Sequence, residues 1–294
     1  MTKIKVSNLQ HKYPNGVIAV SNVNVEIEQG EQVSVVGQNG SGKTTLVKHW
    51  NGLLKPTQGN VFVGELDSLD HSVNILARKV GYVFQNPNHQ IFAASVRDEL
   101  EFGLINIGLD EEEVNSRTNR IAEEFGLVEY LETNPYRLGF SLRKTVGMAS
   151  IIAMEPDVVV LDEPTTGQDY LGIKAIRTAI KKLKDQGKTV IVVSHDMPLV
   201  AEDTDRVLVM CDTELIFDGT PSKLFASKEI LSKTNLLPPQ ITSFTQKVGL
   251  NIEGESVLSV EEAEKVQIEL PIKNTNRVVG TILSNEVSKV WEDK

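Results

Sequence analysis

Eight residues, Gly37-Gln38-Asn39-Gly40-Ser41-Gly42-Lys43-Thr44, constrain this chain more than any others. They fit the pattern G-x-x-x-x-G-K-[ST]. Its glycines take backbone conformations closed to other residues and let the main chain approach a phosphate closely. Successive N–H groups then point at a β-phosphate, next to the positive end of a helix. Lys43 reaches the β- and γ-phosphates as a point charge. The Thr44 hydroxyl is placed to ligate Mg2+, and Thr45 extends the candidate nucleotide-binding set. A chance match arises in on the order of one chain in a hundred at ordinary residue frequencies. The context agrees, because the apolar run Gln32 to Val36 precedes the loop and a helical pattern from Lys43 to Leu54 follows it.

Two further strand ends carry polar groups. Val158-Val159-Val160-Leu161 is a buried-type run that ends in Asp162-Glu163. In a doubly wound sheet, ligands lie at the carboxyl ends of the strands. Asp162 is therefore expected to hold Mg2+, directly or through water, and Glu163 to polarise an attacking water as general base. Two acids after a strand are, alone, an ordinary helix cap; beside a phosphate loop they read as catalytic. Thr189 to Val193 forms another such strand, closed by Ser194-His195. A lone histidine is usually structural, but at a third strand end of the same sheet His195 can contact a γ-phosphate.

Elsewhere, Lys3 to Leu9 and Val17 to Ile27 read as strands, with a turn at Tyr13-Pro14-Asn15-Gly16. From about Asn86 to Met154 the pattern turns helical, with Asp110 a candidate N-cap. Leu171 to Lys184 spaces Ile173, Ile176, Ile180 and Leu183 as a helix does, and Gly187 stands where a C-terminal cap belongs. Short apolar runs alternating with helices predict a parallel sheet covered on both faces. Arg206–Met210 and Glu214–Gly219 predict a hairpin, and Val260 to Val266 a helix.

The net charge of −10 and pI near 5.1 disfavour a nucleic-acid binder, which needs clustered Lys and Arg. The single cysteine, Cys211, rules out a disulfide framework within the chain and fits a reducing compartment. No stretch approaches the ~18 apolar residues of a membrane helix, and the start lacks the apolar core of a signal peptide. Any membrane role is expected to come through partners.

These motifs together resemble those of the ABC ATPases over residues 1–221. The resemblance implies an α/β fold: a P-loop NTPase (RecA-like) core, an antiparallel β subdomain, an α-helical subdomain inserted at about residues 86–155, and a C-terminal extension, 222–294, as a candidate dimerisation segment. It implies ATP and Mg2+ as ligands. Gln85, in Tyr82-Val83-Phe84-Gln85-Asn86-Pro87, matches the glutamine loop, which senses Mg2+ and the attacking water. Tyr13 matches the aromatic that stacks on adenine, with packing of the turn as the alternative. Asp169, in Thr165-Thr166-Gly167-Gln168-Asp169, matches the acid of the loop that crosses the dimer interface.

A narrower resemblance lies in Phe84-Gln85-Asn86-Pro87-Asn88-His89-Gln90-Ile91-Phe92, which is similar to a segment of energy-coupling-factor transporter ATPases, the importers of vitamins and metal ions. Leu236-Leu237-Pro238-Pro239 is similar to that family's C-terminal extension. The resemblance implies an ATP-hydrolysing subunit at the cytoplasmic face of the cell membrane. Its partners would be a second cassette, identical or not, an integral-membrane coupling protein and a substrate-binding membrane subunit. A short helix beginning near Asn88 would line the coupling groove, with Ile91 and Phe92 as its apolar anchors or, as the alternative, packed into the local core.

One departure stands out. The family's L-S-G-G-Q signature is replaced by Leu138-Gly139-Phe140-Ser141-Leu142. The signature reaches across the dimer to the partner's nucleotide. Gly139, Phe140 and Ser141 therefore make an altered contribution to that site, although the Ser141 hydroxyl can still serve it. Two classes of function follow: a transporter ATPase, or a cassette that binds ATP and closes the dimer with little turnover. A soluble ABC ATPase of DNA repair or translation would need a coiled-coil insertion or a tandem cassette, and neither is present.

Overall fold

The computed structural model describes residues 2–252 and 254–265. In chain order the elements are β1 (Ile4–Lys12), β2 (Ile18–Ile27), β3 (Gln32–Gly37), α1 (Lys43–Lys48), β4 (Gln58–Val63), β5 (Leu66–Asp67), α2 (Val73–Ala77), β6 (Val80–Val83), α3 (Val96–Asn106), α4 (Glu111–Glu124), α5 (Phe140–Ala153), β7 (Val158–Asp162), α6 (Tyr170–Asp185), β8 (Thr189–Val193), α7 (Met197–Glu202), β9 (Arg206–Cys211), β10 (Glu214–Gly219), α8 (Pro221–Ala226), α9 (Lys228–Thr234), α10 (Gln240–Lys247) and α11 (Val260–Lys265).

The strands form two sheets. One is antiparallel, in the order β2-β1-β4-β5; the other is six-stranded, in the order β10-β9-β3-β8-β7-β6. Strands β9, β3, β8, β7 and β6 run parallel, and β10 closes the edge as the antiparallel arm of a hairpin. Every residue of β3, β6, β7 and β8 is buried, as expected for parallel strands covered on both faces. Register is what matters for the site: Val35 pairs with Val193 across β3 and β8, and Asp162 pairs with Val193 across β7 and β8. The carboxyl ends of these three strands therefore finish level and side by side.

Between β6 and β7 the chain builds a helical unit from α3, α4 and α5. Its core joins Val96, Leu100 and Leu104 of α3 to Val146, Ala149 and Ile152 of α5, with Val114 and Ile121 of α4. Asp110 accepts from the Glu113 N–H, and Ser95 caps α3 in the same way through Asp98. The C-terminal segment is tied into the main body. Leu224 and Phe225 share a core with Val36, Val207 and Val209 of β3 and β9, so the boundary expected after residue 221 falls inside α8.

Some sequence expectations were too long or misplaced. The helical pattern from Lys43 to Leu54 yields a helix only to Lys48. His49 and Trp50 continue with tighter turns, and Gly52, in the left-handed region at φ +77°, ends it. The short helix expected near Asn88 is a single 3-10 turn, Pro87–His89. Gln90 stops it, because its side chain accepts from the Phe84 N–H at 3.1 Å and donates to the Gly147 carbonyl at 2.5 Å. Ile91 is then buried in the helical unit's core and cannot be a docking anchor, while Phe92 is 61% exposed. The predicted helix from Val260 is present to Lys265; Val266 lies outside the described residues.

Leu100 is fully buried where α3 meets α5. Leu100→Ala is expected to cost about 2–5 kcal/mol, the usual range for a core leucine truncation. A lowered midpoint of thermal unfolding checks this; an unchanged midpoint would mean that α3 is not held by this contact.

Candidate functional site

The loop after β3 is shaped by glycines at two places where a side chain cannot fit. Gly37 has φ +144°, and a Cβ there would lie 2.1 Å from the Met210 carbonyl oxygen of β9. Gly42 has φ +103°, and a Cβ would lie 2.2 Å from the Ala19 carbonyl oxygen of β2. The loop is thus wedged between the two sheets and opens directly into α1. Lys43 is 8% exposed. Its ammonium donates to the Gly37 and Gln38 carbonyl oxygens, both at 2.8 Å, so it lies curled over its own loop. Burial holds its pKa below the ordinary lysine value, against the pull of Glu163 and Asp162.

Asp162, at the end of β7, faces this loop. The Thr44 hydroxyl lies 3.4 and 3.3 Å from its two carboxylate oxygens. The buried Tyr82 hydroxyl donates to one of them at 2.7 Å. Burial raises the Asp162 pKa above its ordinary value, opposed by the Tyr82 hydrogen bond. A hydroxyl and a carboxylate at this spacing, next to a phosphate-binding loop, are hard oxygen donors of the kind Mg2+ takes, with phosphate oxygens and water completing the shell. Among the described residues no three His, Cys, Asp or Glu side chains gather into a metal cage of their own.

Glu163 follows in the left-handed region, φ +49°. Its N–H donates to the Val193 carbonyl of β8 at 2.8 Å, which anchors the turn. Its carboxylate meets His195 Nδ1 at 2.7 Å, and the histidine is largely exposed. Glu163, His195, Gln85, Gln38 and Asn39 line one open cleft of about 730 Å3. Its far wall is formed by Thr234 to Gln240, which includes Leu236-Leu237-Pro238-Pro239. Gln85 is exposed on the rim.

Tyr13 sits on the other side of the loop. Its hydroxyl is 3.2 Å from Thr45 Oγ1, and its ring meets His11 edge-on with centroids 4.6 Å apart. His11 is backed by the fully buried His49, Nε2 to Nδ1 at 3.0 Å. Burial pushes His49 down to about 4, so it is neutral at physiological pH.

Asp169 and the altered signature lie together. Asp169 caps α6, accepting from the Gly172 N–H at 2.8 Å. Gly139 precedes α5 as its cap. The Phe140 ring packs against Gly167, where a Cβ would come within 2.7 Å of the ring. The Ser141 hydroxyl donates to Gln168 Oε1 at 2.6 Å. Both signature side chains thus engage this chain's own loop, which the sequence alone did not indicate.

The sequence reading also missed Tyr82, Gln90 and Lys144. Tyr82 was detectable as the only hydroxyl in the apolar strand Val80-Gly81-Tyr82-Val83. Lys144 falls in line with Met148 and Ile152, at i+4 and i+8 on the buried face of α5, which is an odd place for a lysine.

Comparison with known proteins agrees with this geometry. The sequence profile of the ABC transporter family matches residues 20–166. The energy-coupling factor transporter ATP-binding protein EcfA2 of Clostridium perfringens is 39% identical, over 93% of this chain and 99% of that protein. The EcfA protein of Methanosphaera stadtmanae is 39% identical, over 84% of this chain and 90% of that protein. Among solved structures, cbiO1 of Clostridium perfringens, part of the ABC transporter complex cbiONQ, superimposes with a TM-score of 0.69 at 33% identity, covering 84% of this chain and 98% of that one. The cassette MJ0796, in a dimeric post-hydrolysis state with ADP and Pi, gives a TM-score of 0.69 at 29% identity, covering 74% and 98%.

Lys43→Ala removes the ammonium from the loop and is expected to weaken ATP binding by roughly 2–3 kcal/mol, the scale of a charged hydrogen bond. Nucleotide titration of the purified chain measures it; native affinity in the variant would contradict the phosphate-loop assignment.

Proposed function

The chain belongs to the ABC transporter family, among its energy-coupling factor ATP-binding proteins, and from that premise we propose how its site works. It is an ATPase subunit that powers uptake of a small solute, a vitamin or a metal ion, through membrane partners. The observation that carries this reading is the meeting of Lys43, Asp162, Glu163 and His195 at three adjacent strand ends. Gly37 to Thr45 bind the phosphates, and Tyr13 offers its ring to adenine. Thr44 and Asp162, with Gln85 at the rim, would hold Mg2+, which supplies charge neutralisation on the β- and γ-phosphates when bound.

Glu163 accepts the proton of the water that attacks the γ-phosphorus, and the bond to the β–γ bridging oxygen breaks to leave ADP and phosphate. His195 orients that carboxylate from the exposed side and faces the γ-phosphate. Lys43 leaves the carbonyls of Gly37 and Gln38 for phosphate oxygens. Two cassettes close on ATP head to tail and reopen after hydrolysis, a two-state interface driven by nucleotide. Among the described residues no helix is long and apolar enough to cross a membrane. In keeping with its family, the chain works as a peripheral subunit at the cytoplasmic face, docked on an integral-membrane coupling protein that acts with a substrate-binding membrane subunit.

The docking surface is the outer face of the helical unit. Phe92 and Phe102 meet edge to face, centroids 4.7 Å apart, with Ile105 beside them on α3, all exposed. The turn of Ser141 and Phe140 toward their own loop supports a second element of the reading: pairing with a different cassette that carries an intact signature. This chain's Walker residues then receive a normal signature, and the partner's receive an impaired one. The same contacts are the feature that favours a low-turnover cassette, if the partner's signature is altered as well.

Glu163→Gln is expected to keep ATP binding and lower turnover of the assembled transporter by ~10²-fold or more. The equivalent change in the partner cassette should do much less. Equal losses from the two changes would contradict the asymmetry, and native turnover in Glu163→Gln would remove it as the base. Phe92→Glu should abolish co-purification with the membrane partner and leave ATP affinity unchanged; an assembled complex would place docking elsewhere.

A further inference from the structure

Lys144 is a buried cation that the phosphate chemistry does not account for. It lies on the second turn of α5 and is 4% exposed. Its ammonium donates to the Glu163 carbonyl oxygen and, at 3.2 Å, to that of Thr166. A lysine from the helical unit thus reaches across to the main chain of the loop that follows β7. Two other contacts run in parallel, Phe140 against Gly167 and Ser141 to Gln168. The first two turns of α5 therefore grip residues 163–168 at three points.

The grip falls on a backbone position that needs it. Glu163 is not glycine, yet it stands at φ +49°. A left-handed residue of this kind is strained and persists only when its surroundings over-determine it. Here the N–H is held by Val193 of β8, and the carbonyl by Lys144 and by the Thr166 N–H at 3.3 Å. That conformation is also what carries the carboxylate to His195. Burial lowers the Lys144 pKa to about 8, against the pull of Glu163 and Asp162.

We propose that Lys144 is a positioning residue for hydrolysis: by binding the Glu163 and Thr166 carbonyls it fixes the backbone of the base and links the orientation of α5 to the competence of the site. The proposal rests on Glu163 being the base. Any rotation of the helical unit that withdraws α5 takes the ammonium off both carbonyls at once, leaving Glu163 without one of its two external restraints. Coupling between docking and hydrolysis then passes through a side chain of this chain itself.

The test compares Lys144→Met, Lys144→Gln and Lys144→Arg, alone and with Glu163→Gln, in the assembled transporter. Lys144→Met is expected to lower kcat by ~10–100-fold, the scale of a displaced catalytic group. Its ATP affinity should change by no more than about threefold, well under the tenfold step of a lost strong contact. Lys144→Arg, which can still donate to both carbonyls, should recover much of the rate, and Lys144→Gln less. In the Glu163→Gln background, Lys144→Met should cause little further loss, because there is no base left to position. Native kcat in Lys144→Met, beside an inactive Glu163→Gln, would overturn the proposal and leave the base assignment standing. An equal fold-loss in both backgrounds would also overturn it, since it marks a lysine that only stabilises the fold. Should Lys144→Met fail to fold, the ratio of Lys144→Arg to Lys144→Gln decides: equal kcat in the two contradicts the proposal. A Glu163→Gln variant with native turnover would bring down the base and the positioning role together.

Discussion

The hydrogen-bond register of three parallel strands governs the rest of this molecule. With β8 lying between β3 and β7, Val193 pairs with Val35 on one side and Asp162 on the other. Strands pair at about 4.8 Å, so the phosphate loop and the two acids emerge roughly 10 Å apart, on either side of the strand that ends at His195, and their side chains can reach a common ligand. A slip of one residue in either pairing would turn Asp162 to the opposite face of the sheet. The buried strands oppose that slip, because both of their faces are covered and Asp162, the charged residue among them, stands at a strand end.

Electrostatics then divide the labour between two neighbouring carboxylates. Asp162 is deep, donated to by Tyr82, and close to the Thr44 hydroxyl. Glu163 is turned out of the strand by its left-handed backbone and meets an exposed histidine. One environment suits a bound cation, the other a proton acceptor that lines the open cleft beside an exposed histidine. The same separation explains why the loop after β7 needs support from outside the sheet, which α5 provides through Lys144 and Ser141.

Much of this was legible in the sequence because it rests on local rules. A phosphate loop between a strand and a helix, and acids or histidine just past apolar runs, are read from residue type and spacing. The Asp110 cap and the β9–β10 hairpin follow in the same way. What was not legible depends on contacts between distant segments. The Lys43 helix was overrun because its periodicity continues past Gly52. Ile91 and Phe92, adjacent apolar residues that fit either an anchor or a core position, give no sign of which one turns inward; Gln90, bonded to Gly147 far along the chain, decides it. The altered signature was visible as a departure, but the turn of Ser141 toward Gln168 requires the α5–α6 packing that no local pattern encodes.

The central claim is that the ends of β3 and β7 together form one site for a nucleotide and its cation. The most direct measurement is ATP affinity of the native chain and of Asp162→Asn, each with Mg2+ and with chelator. The account predicts that Mg2+ tightens binding to the native chain by about tenfold or more, a gain of ~1.4 kcal/mol. It predicts that Asp162→Asn loses this gain while binding metal-free ATP as the native chain does. An Asp162→Asn variant that keeps the full Mg2+ effect would contradict it.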